Sequence, residues 1–475
     1  MFAFLLLAAS HLTPMIRPTT TTSAVPSTCR HGRFFVGHRK FSSRCLKGLR
    51  RCAKSIPAKF QPDGESAGSS PGGSPQISSP APKPAGLQGV VFGDSQISMV
   101  DAEGGTGLQY RGYAAATLAS EARYEEVAYL LIHGQLPTVE ELQGFSERLS
   151  EYYELREEVR EVVRNLPKNA NPMHVLRTGV SLEGVYMYGK SNSKLGRDAN
   201  LQVQKNRAIA ERMIALFPSI LSTWYKAHYS EELPELSGDF GEFSAQFSVA
   251  RKIVLSFGIQ EPHAESILNK LLVLYAEHDL NASAFAARVT ASTKADMYGS
   301  ITTALSTLGG PLHGGALGNT LELLLSFASP DQAEEFIRSA IQRKEVIPGF
   351  GHRVYRRTGD PRSAMIFTWV KDMISRGDEK VGSRPRLLAI AERIEKVMFT
   401  EKGLRPNVDF YAALLLHFLN IPPPLFVTIF AMGRVAGWSA HTIEQQTANK
   451  IIRPVSNYIG PLNLPFTPLE SRSST

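Results

Sequence analysis

A chain of 475 residues with 43% apolar content is long enough to bury a large core and exceeds one ordinary domain. Its formal charge of +8 is uneven: eleven of the 52 Lys and Arg and none of the 44 acidic residues fall within residues 1–62, leaving the remainder slightly acidic at −3. No basic stripe with interleaved aromatics remains, which excludes nucleic-acid binding; all three cysteines, Cys29, Cys45 and Cys52, lie in the basic leader, which excludes thiol chemistry and zinc-thiolate sites from the body.

In chain order, residues 1–60 are acid-free and rich in Arg, Ser and Thr, the composition of an organelle targeting leader. A mitochondrial matrix address is expected, with a plastid address as the alternative because Phe2–Ala9 could be a signal-peptide core. That run of eight apolar residues is too short to span a membrane, which takes about 20. Residues 61–86, of which 17 are Pro, Gly or Ser, cannot bury enough apolar area to order themselves and read as a disordered linker. Ordered chain is expected from Leu87, with Val90-Val91-Phe92 and Ile97–Met99 forming a short extended or hairpin element. After Tyr113 helical periodicity dominates. Ile267, Leu271, Leu274 and His278 fall at i, i+4, i+7 and i+11, one face of a helix starting after Pro262 with His278 at the end of the stripe. Thr293-Lys294-Ala295-Asp296 reads as a capping box opening a helix that Gly309-Gly310-Pro311 stops. Another helix is expected at His313. Apolar helices follow over Asp409–Phe418 and Leu425–Gln446, separated by Pro422-Pro423-Pro424. The pattern predicts an all-α fold of helices packed on helices, without βαβ alternation or a dinucleotide glycine fingerprint.

Three turns carry candidate chemistry, each expected at a helix start. His313 lies in Gly309-Gly310-Pro311-Leu312-His313-Gly314-Gly315, where a helix N-terminus would keep the imidazole neutral and able to polarise a carbonyl. His352 follows Gly349-Phe350-Gly351 and precedes Arg353, Arg356, Arg357 and Arg362, a cation density suited to an anionic ligand. Arg353 and Arg357 read as solvated, whereas Arg362, after Asp360-Pro361, is expected to point inward. Asp409 opens an apolar run; a partly desolvated carboxylate there is a base strong enough for a carbon acid, or a plain helix N-cap. Arg434 sits inside an apolar helix, where an unpaired guanidinium costs roughly several kcal/mol, so an internal acid or a substrate carboxylate must answer it. Arg453, near the C-terminus, could serve the same ligand. Glu277-His278-Asp279 has no second cluster at metal-binding spacing, so no metal is expected.

With these residues in view, the chain resembles the citrate synthase family from about Leu87 to Pro465. The signatures are Tyr110-Arg111-Gly112-Tyr113, Ala276 to Ser283, Gly310 to Gly315, Gly349 to His352, Asp360-Pro361-Arg362, Asn407-Val408-Asp409 and Arg453-Pro454. The resemblance implies a helical homodimer, with a large domain over 87–313 and 416–465, a smaller CoA-binding domain over 314–415, and a tail over 466–475. It implies condensation of an acyl-CoA with oxaloacetate, followed by thioester hydrolysis. Asp409 would remove the α-proton of the acyl-CoA, His313 would stabilise the enol at the thioester oxygen, and His352 would donate to the oxaloacetate carbonyl. His278, Arg362, Arg434 and Arg453 match the family's dicarboxylate ligands, Arg453 reaching across the dimer, and Arg356 matches a CoA-phosphate contact. Neither a metal nor a redox cofactor is implied, and neither nucleic acid nor a membrane is an expected partner. Gly89-Val90-Val91, His174 to Gly179, Ala295 to Tyr298 and Asn449 to Pro454 resemble 2-methylcitrate synthases within the family. Activity with propionyl-CoA, and with acetyl-CoA beside it, is therefore expected; the alternatives are an acetyl-CoA citrate synthase of the tricarboxylic acid cycle and a non-catalytic helical dimer that only binds CoA or dicarboxylates.

Overall fold

The computed structural model describes residues 85–87, 89–101, 107–191, 199–232, 248–355, 358–376 and 383–472. Three short strands come first: β1 (Ser98–Asp101) pairs antiparallel with β2 (Gly107–Tyr110), and β2 with β3 (Tyr113–Ala114). Val90-Val91-Phe92 forms no strand, so the hairpin begins later than the sequence suggests. Sixteen α-helices follow among the described residues. The first seven are α1 (Ala115–Glu121), α2 (Tyr124–His133), α3 (Val139–Tyr152), α4 (Glu157–Arg164), α5 (Pro172–Ser191), α6 (Ala199–Tyr229) and α7 (Val249–Phe257). Then come α8 (Ala264–Tyr275), α9 (Ala282–Ser292), α10 (Met297–Leu308), α11 (Ala316–Leu325), α12 (Pro330–Gln342), α13 (Pro361–Ser375), α14 (Arg384–Lys402), α15 (Val408–Phe418) and α16 (Phe426–Thr447). The all-α expectation holds.

The breaks between helices follow local chemistry. Thr138, Ser248, Asn281, Asp296, Ser329, Asp360 and Asn407 each cap a helix by accepting a backbone N–H through the side chain. Asp296, not Thr293, caps α10: Lys294 takes a positive φ of 65°, which ends α9 and leaves Thr293 as its C-cap, so the expected capping box does not form. Helix α11 starts at Ala316, three residues after His313, because the His313 and Gly314 N–H groups bond back to the Gly310 carbonyl and hold the histidine in a turn.

Helix α16 runs through the middle of the core, buried almost without interruption from Phe426 to Ile443, and packs on α2, α6, α8, α9 and α10. Two glycines let α8 approach it. A Cβ on Gly433 would lie 2.8 Å from Tyr275 Cβ and 2.9 Å from the Leu272 carbonyl oxygen, and one on Gly437 would lie 2.4 Å from the Ala276 carbonyl oxygen. That approach explains why α8 stops at Tyr275 and leaves His278 beyond its end, off the stripe predicted for it. The last-turn carbonyls are claimed from outside: Tyr110 Oη lies within hydrogen-bonding reach of the Val273 and Leu274 oxygens, Arg434 Nε donates to Tyr275, and Gly437 N–H donates to Ala276. Helices α11 to α15 pack chiefly on one another, touching the rest through α13 on α8 and α11 on α16.

Candidate active site

Asp409 is the second residue of α15, but it does not cap that helix. Asn407 does, its side-chain oxygen accepting the Asp409 N–H at 3.0 Å, so the Asp409 carboxylate is left free. Asn407 also joins this helix start to the turn bearing His352: its N–H donates to the Gly349 carbonyl at 2.9 Å and its Nδ2 to the Gly351 carbonyl at 3.2 Å, beside an isolated bridge between Phe350 and Pro406. Asp360 makes a second tie. It takes Arg362 bidentately, Nε at 3.0 Å and Nη2 at 2.7 Å, and accepts the Val408 N–H at 3.1 Å. The nearly sixty residues between His352 and Asp409 are thus bridged locally, because α13, α15 and the His352 turn are tied at their ends.

The His352 tautomer is set by the backbone. Its Nδ1 accepts the N–H groups of Val354 and Tyr355, at 3.0 and 3.2 Å, so a neutral ring must carry its proton on Nε2, where it is a donor. The ring packs edge-on to His278, with centroids 5.2 Å apart, and both contact Tyr355, at 4.8 and 5.5 Å. His278 Nε2 is buried and has no protein partner. His313 Nε2 lies 2.9 Å from Ser283 Oγ, which accepts the Trp438 indole N–H at 3.1 Å. Trp438 stands one turn after Arg434 on α16.

Arg434 is 1% exposed; its Nε donates to the Tyr275 carbonyl at 2.6 Å and its guanidinium lies over the Phe430 ring. Among the described residues no carboxylate lies within ion-pair distance of it, whereas Arg362 has its acid two residues away in Asp360. The Asp360 that neutralises Arg362 also caps α13.

Electrostatics separate the roles. Burial pushes the Asp409 carboxyl up to about 6, Arg362 opposing and Asp360 adding to the rise. Burial, with Arg434 beside it, lowers His313 to about 4, and burial with Arg362 lowers His352 to about 4. His278 is driven well below its ordinary value by burial, then by Arg362, His352 and Arg434. The three rings are thus neutral at pH 7, though for a different reason than the helix-start argument supplied: His313 and His352 sit in turns, and burial does what a macrodipole was expected to do. Burial also lowers Arg434 to about 10, still protonated at pH 7.

The structure therefore brings His278, His352, Arg362, Arg434 and Asp409 to one place, with His313 joined to it through Arg434, Ser283 and Trp438. Arg453 does not join them: it is exposed in the extended segment after α16. Arg356 lies outside the described residues, and Arg353 is exposed as expected. Sequence reasoning missed Tyr275, whose buried hydroxyl has no partner and feels Asp409, and it missed Ser283 and Trp438. Serines and aromatics within apolar helices carry no signal until the partner across the core is known.

Residues 86–455 match the family model described as citrate synthase, C-terminal domain. A 2-methylcitrate synthase of Shewanella oneidensis is 37% identical over 391 residues, covering 82% of this chain and 98% of the relative. A citrate synthase of Haloferax volcanii is 37% identical over 393 residues, with coverage of 82% and 98%. Among solved structures, a ternary complex of citrate synthase from Thermoplasma acidophilum with carboxymethyl coenzyme A and oxaloacetate superposes with a TM-score of 0.71 at 28% identity, over 82% of this chain and 98% of that one. These relatives correct one expectation. They are bacterial and archaeal proteins without a mitochondrial or plastid location, and the organelle address read from residues 1–60 is overturned by them; the leader itself lies outside the described residues. The fold, the ordered motifs and these matches together place the chain in the citrate synthase family, enzymes that condense an acyl-CoA with oxaloacetate.

Proposed function

We propose that this enzyme condenses propionyl-CoA with oxaloacetate and water to 2-methylcitrate and CoA, and also accepts acetyl-CoA. The observation that carries the reading is a free carboxylate of raised pKa, Asp409, beside neutral imidazoles and two buried guanidiniums. Asp409 takes a proton from the carbon next to the thioester. His313 meets the developing enol at the thioester oxygen as a neutral imidazole, its Nε2 edge held against Ser283. His352 Nε2–H, fixed by its two backbone donors, hydrogen-bonds the ketone oxygen of oxaloacetate as the enol carbon attacks it. Water then cleaves the thioester of the condensed product. Neutral rings suit this work because a hydrogen bond from imidazole stabilises negative charge without a competing proton equilibrium.

His278, Arg362 and Arg434 hold the two carboxylates of oxaloacetate. The exposed segment of Arg453 continues through Val455, Ile459, Leu462 and Phe466, each more than 70% exposed, an apolar surface that one protomer leaves uncovered. In a homodimer this segment lies on the partner and delivers Arg453 to the partner's site. The self-packed helices between residues 314 and 415 act as the smaller, CoA-binding domain, with the large domain formed by 87–313 and 416–465, and Arg356 meets the CoA phosphate. The chemistry uses no metal or redox cofactor.

The acyl preference rests on the segments resembling 2-methylcitrate synthases and on the Shewanella relative. One methylene distinguishes the two thioesters, worth about 1–3 kcal/mol in an apolar pocket, so overlapping activity accompanies the preference. Release of CoA thiol from each acyl-CoA at matched oxaloacetate tests this. A higher kcat/KM for propionyl-CoA is expected; a large excess for acetyl-CoA makes the enzyme a citrate synthase, and no oxaloacetate-dependent release with either leaves only a silent binding protein.

A further inference from the structure

Glu277 precedes His278 and is completely buried, yet the proposed chemistry does not use it. Its Oε1 accepts from Ser98 Oγ at 3.0 Å and from His441 Nε2 at 2.9 Å. Its Oε2 has no partner and occupies the notch left by Gly437, where a Cβ would sit 2.1 Å away. An orphan carboxylate oxygen walled into a core is costly unless the charge is answered nearby.

His441 does not answer it. The other ring nitrogen, Nδ1, lies 3.2 Å from Arg288 Nη1, and a guanidinium can only donate, so His441 is a neutral Nε2–H donor. Arg288 is itself neutralised by Glu444 at 2.6 Å. Ser98 supplies a dipole and no charge. Of the remaining cations, Arg111 answers chiefly to Glu444, whereas Arg434, one turn before the Gly437 notch on α16, has Glu277 as the carboxylate that most supports its protonated form. Arg434 in turn has no acid in ion-pair contact among the described residues.

We propose that Glu277 is a resident counter-ion of the oxaloacetate site: it stabilises buried Arg434 while the site is empty and, by the same charge, weakens the hold on anionic ligands so that the tricarboxylate product can leave. The inference rests on the proposed oxaloacetate reading of the site. Its logic is linkage. An anion that compensates Arg434 in the free enzyme competes with the substrate carboxylate for the same guanidinium, so removing it destabilises the free enzyme and strengthens ligand binding. The product carries three carboxylates where oxaloacetate has two, so it feels the repulsion more.

Glu277→Gln keeps size and the acceptor for Ser98 and His441 and removes the charge. Calorimetry and product inhibition should show oxaloacetate binding on the order of tenfold tighter and the tricarboxylate product tighter still, once the buried charge opposing Arg434 is removed. The variant's melting temperature should fall without ligand and recover in saturating oxaloacetate. Glu277→Asp shortens the side chain but keeps the charge, and its affinities should return toward wild type. A purely structural role predicts weaker binding in both variants and contradicts the proposal, as does unchanged affinity in Glu277→Gln or a variant that stays unfolded in saturating oxaloacetate. Wild-type enzyme that binds no dicarboxylate sinks the substrate reading and the inference with it, whereas wild-type binding without a gain in Glu277→Gln sinks the inference alone.

Discussion

Asp409 can act as a base because Asn407 relieves it of capping. Substituting Asp409→Asn keeps the shape and removes the base; turnover should fall by about 10²–10⁴-fold, the usual range for a positioned proton acceptor, with oxaloacetate affinity changed little. Its raised pKa of about 6 gives a second check: wild-type kcat/KM for the acyl-CoA should rise with pH through about 6 as the carboxyl loses its proton, with no further histidine limb between 5 and 8, since His313 and His352 titrate near 4. A limb with the large ionisation enthalpy of an imidazole, in place of the near-zero enthalpy of a carboxyl, would show a histidine governing the reaction instead. At this scale the sequence was legible where residue type and a turn coincide, as at His313, His352 and Asp409. It was opaque where meaning comes from a partner across the core. Asp360 shows no role of its own in the sequence yet caps α13 and neutralises Arg362, and Ser283 shows none yet contacts His313.

Helix ends, more than helix bodies, build this site. Asn407 begins α15, and through Gly349 and Gly351 it also fixes the His352 turn. Asn407→Ala should cost about 1 kcal/mol from the lost cap alone, and because the same side chain ties the two catalytic turns together, kcat should fall more than this stability loss implies; thermal unfolding and turnover on one preparation separate the two. Gly433→Ala should be worse for the fold: its methyl meets the Leu272 carbonyl at 2.9 Å and the Tyr275 Cβ at 2.8 Å, contacts that cannot yield without moving α8, and overpacking of this kind costs about 1–3 kcal/mol or more. Periodicity located α15 and α16 almost to the residue, but missed where α8 ends and where α11 begins. Helix termination there is decided by outside donors, Tyr110, Arg434 and the Gly437 N–H, and by a local turn at Gly310, none of which leaves a periodic trace.

Across the whole molecule, buried neutral histidines make stability depend on pH. His313 and His352 hold folded values near 4 against 6.5 when unfolded, and His278 is shifted the same way. Between pH 4 and 6.5 the unfolded chain therefore binds more protons, so these groups contribute stability that is present above 6.5 and is lost as pH falls toward 4. Asp409 has the opposite sign, because its folded value of about 6 exceeds 3.8 and favours the folded chain on acidification over that window. His417 and the depressed carboxyls Glu211, Glu277 and Asp360 shift stability the same way, against the raised Asp409 and Glu125, so the melting temperature should drop between pH 6.5 and 4.5, and the drop should shrink in a His313→Gln/His352→Gln double variant; an unchanged slope would contradict the burial of those rings. The all-α class and the family were both legible in the ordered motifs. The leader misled, because composition alone carried the organelle address while the family resemblance covers only the body.

The most direct test of the account is oxaloacetate-dependent CoA release from propionyl-CoA and acetyl-CoA, measured from pH 5 to 8 for wild-type enzyme and Asp409→Asn side by side. The account predicts wild-type turnover that climbs through about pH 6 and a variant slowed by about 10²–10⁴-fold at every pH while still binding oxaloacetate. A variant that turns over at the wild-type rate, or a wild-type enzyme that releases no CoA, would contradict it.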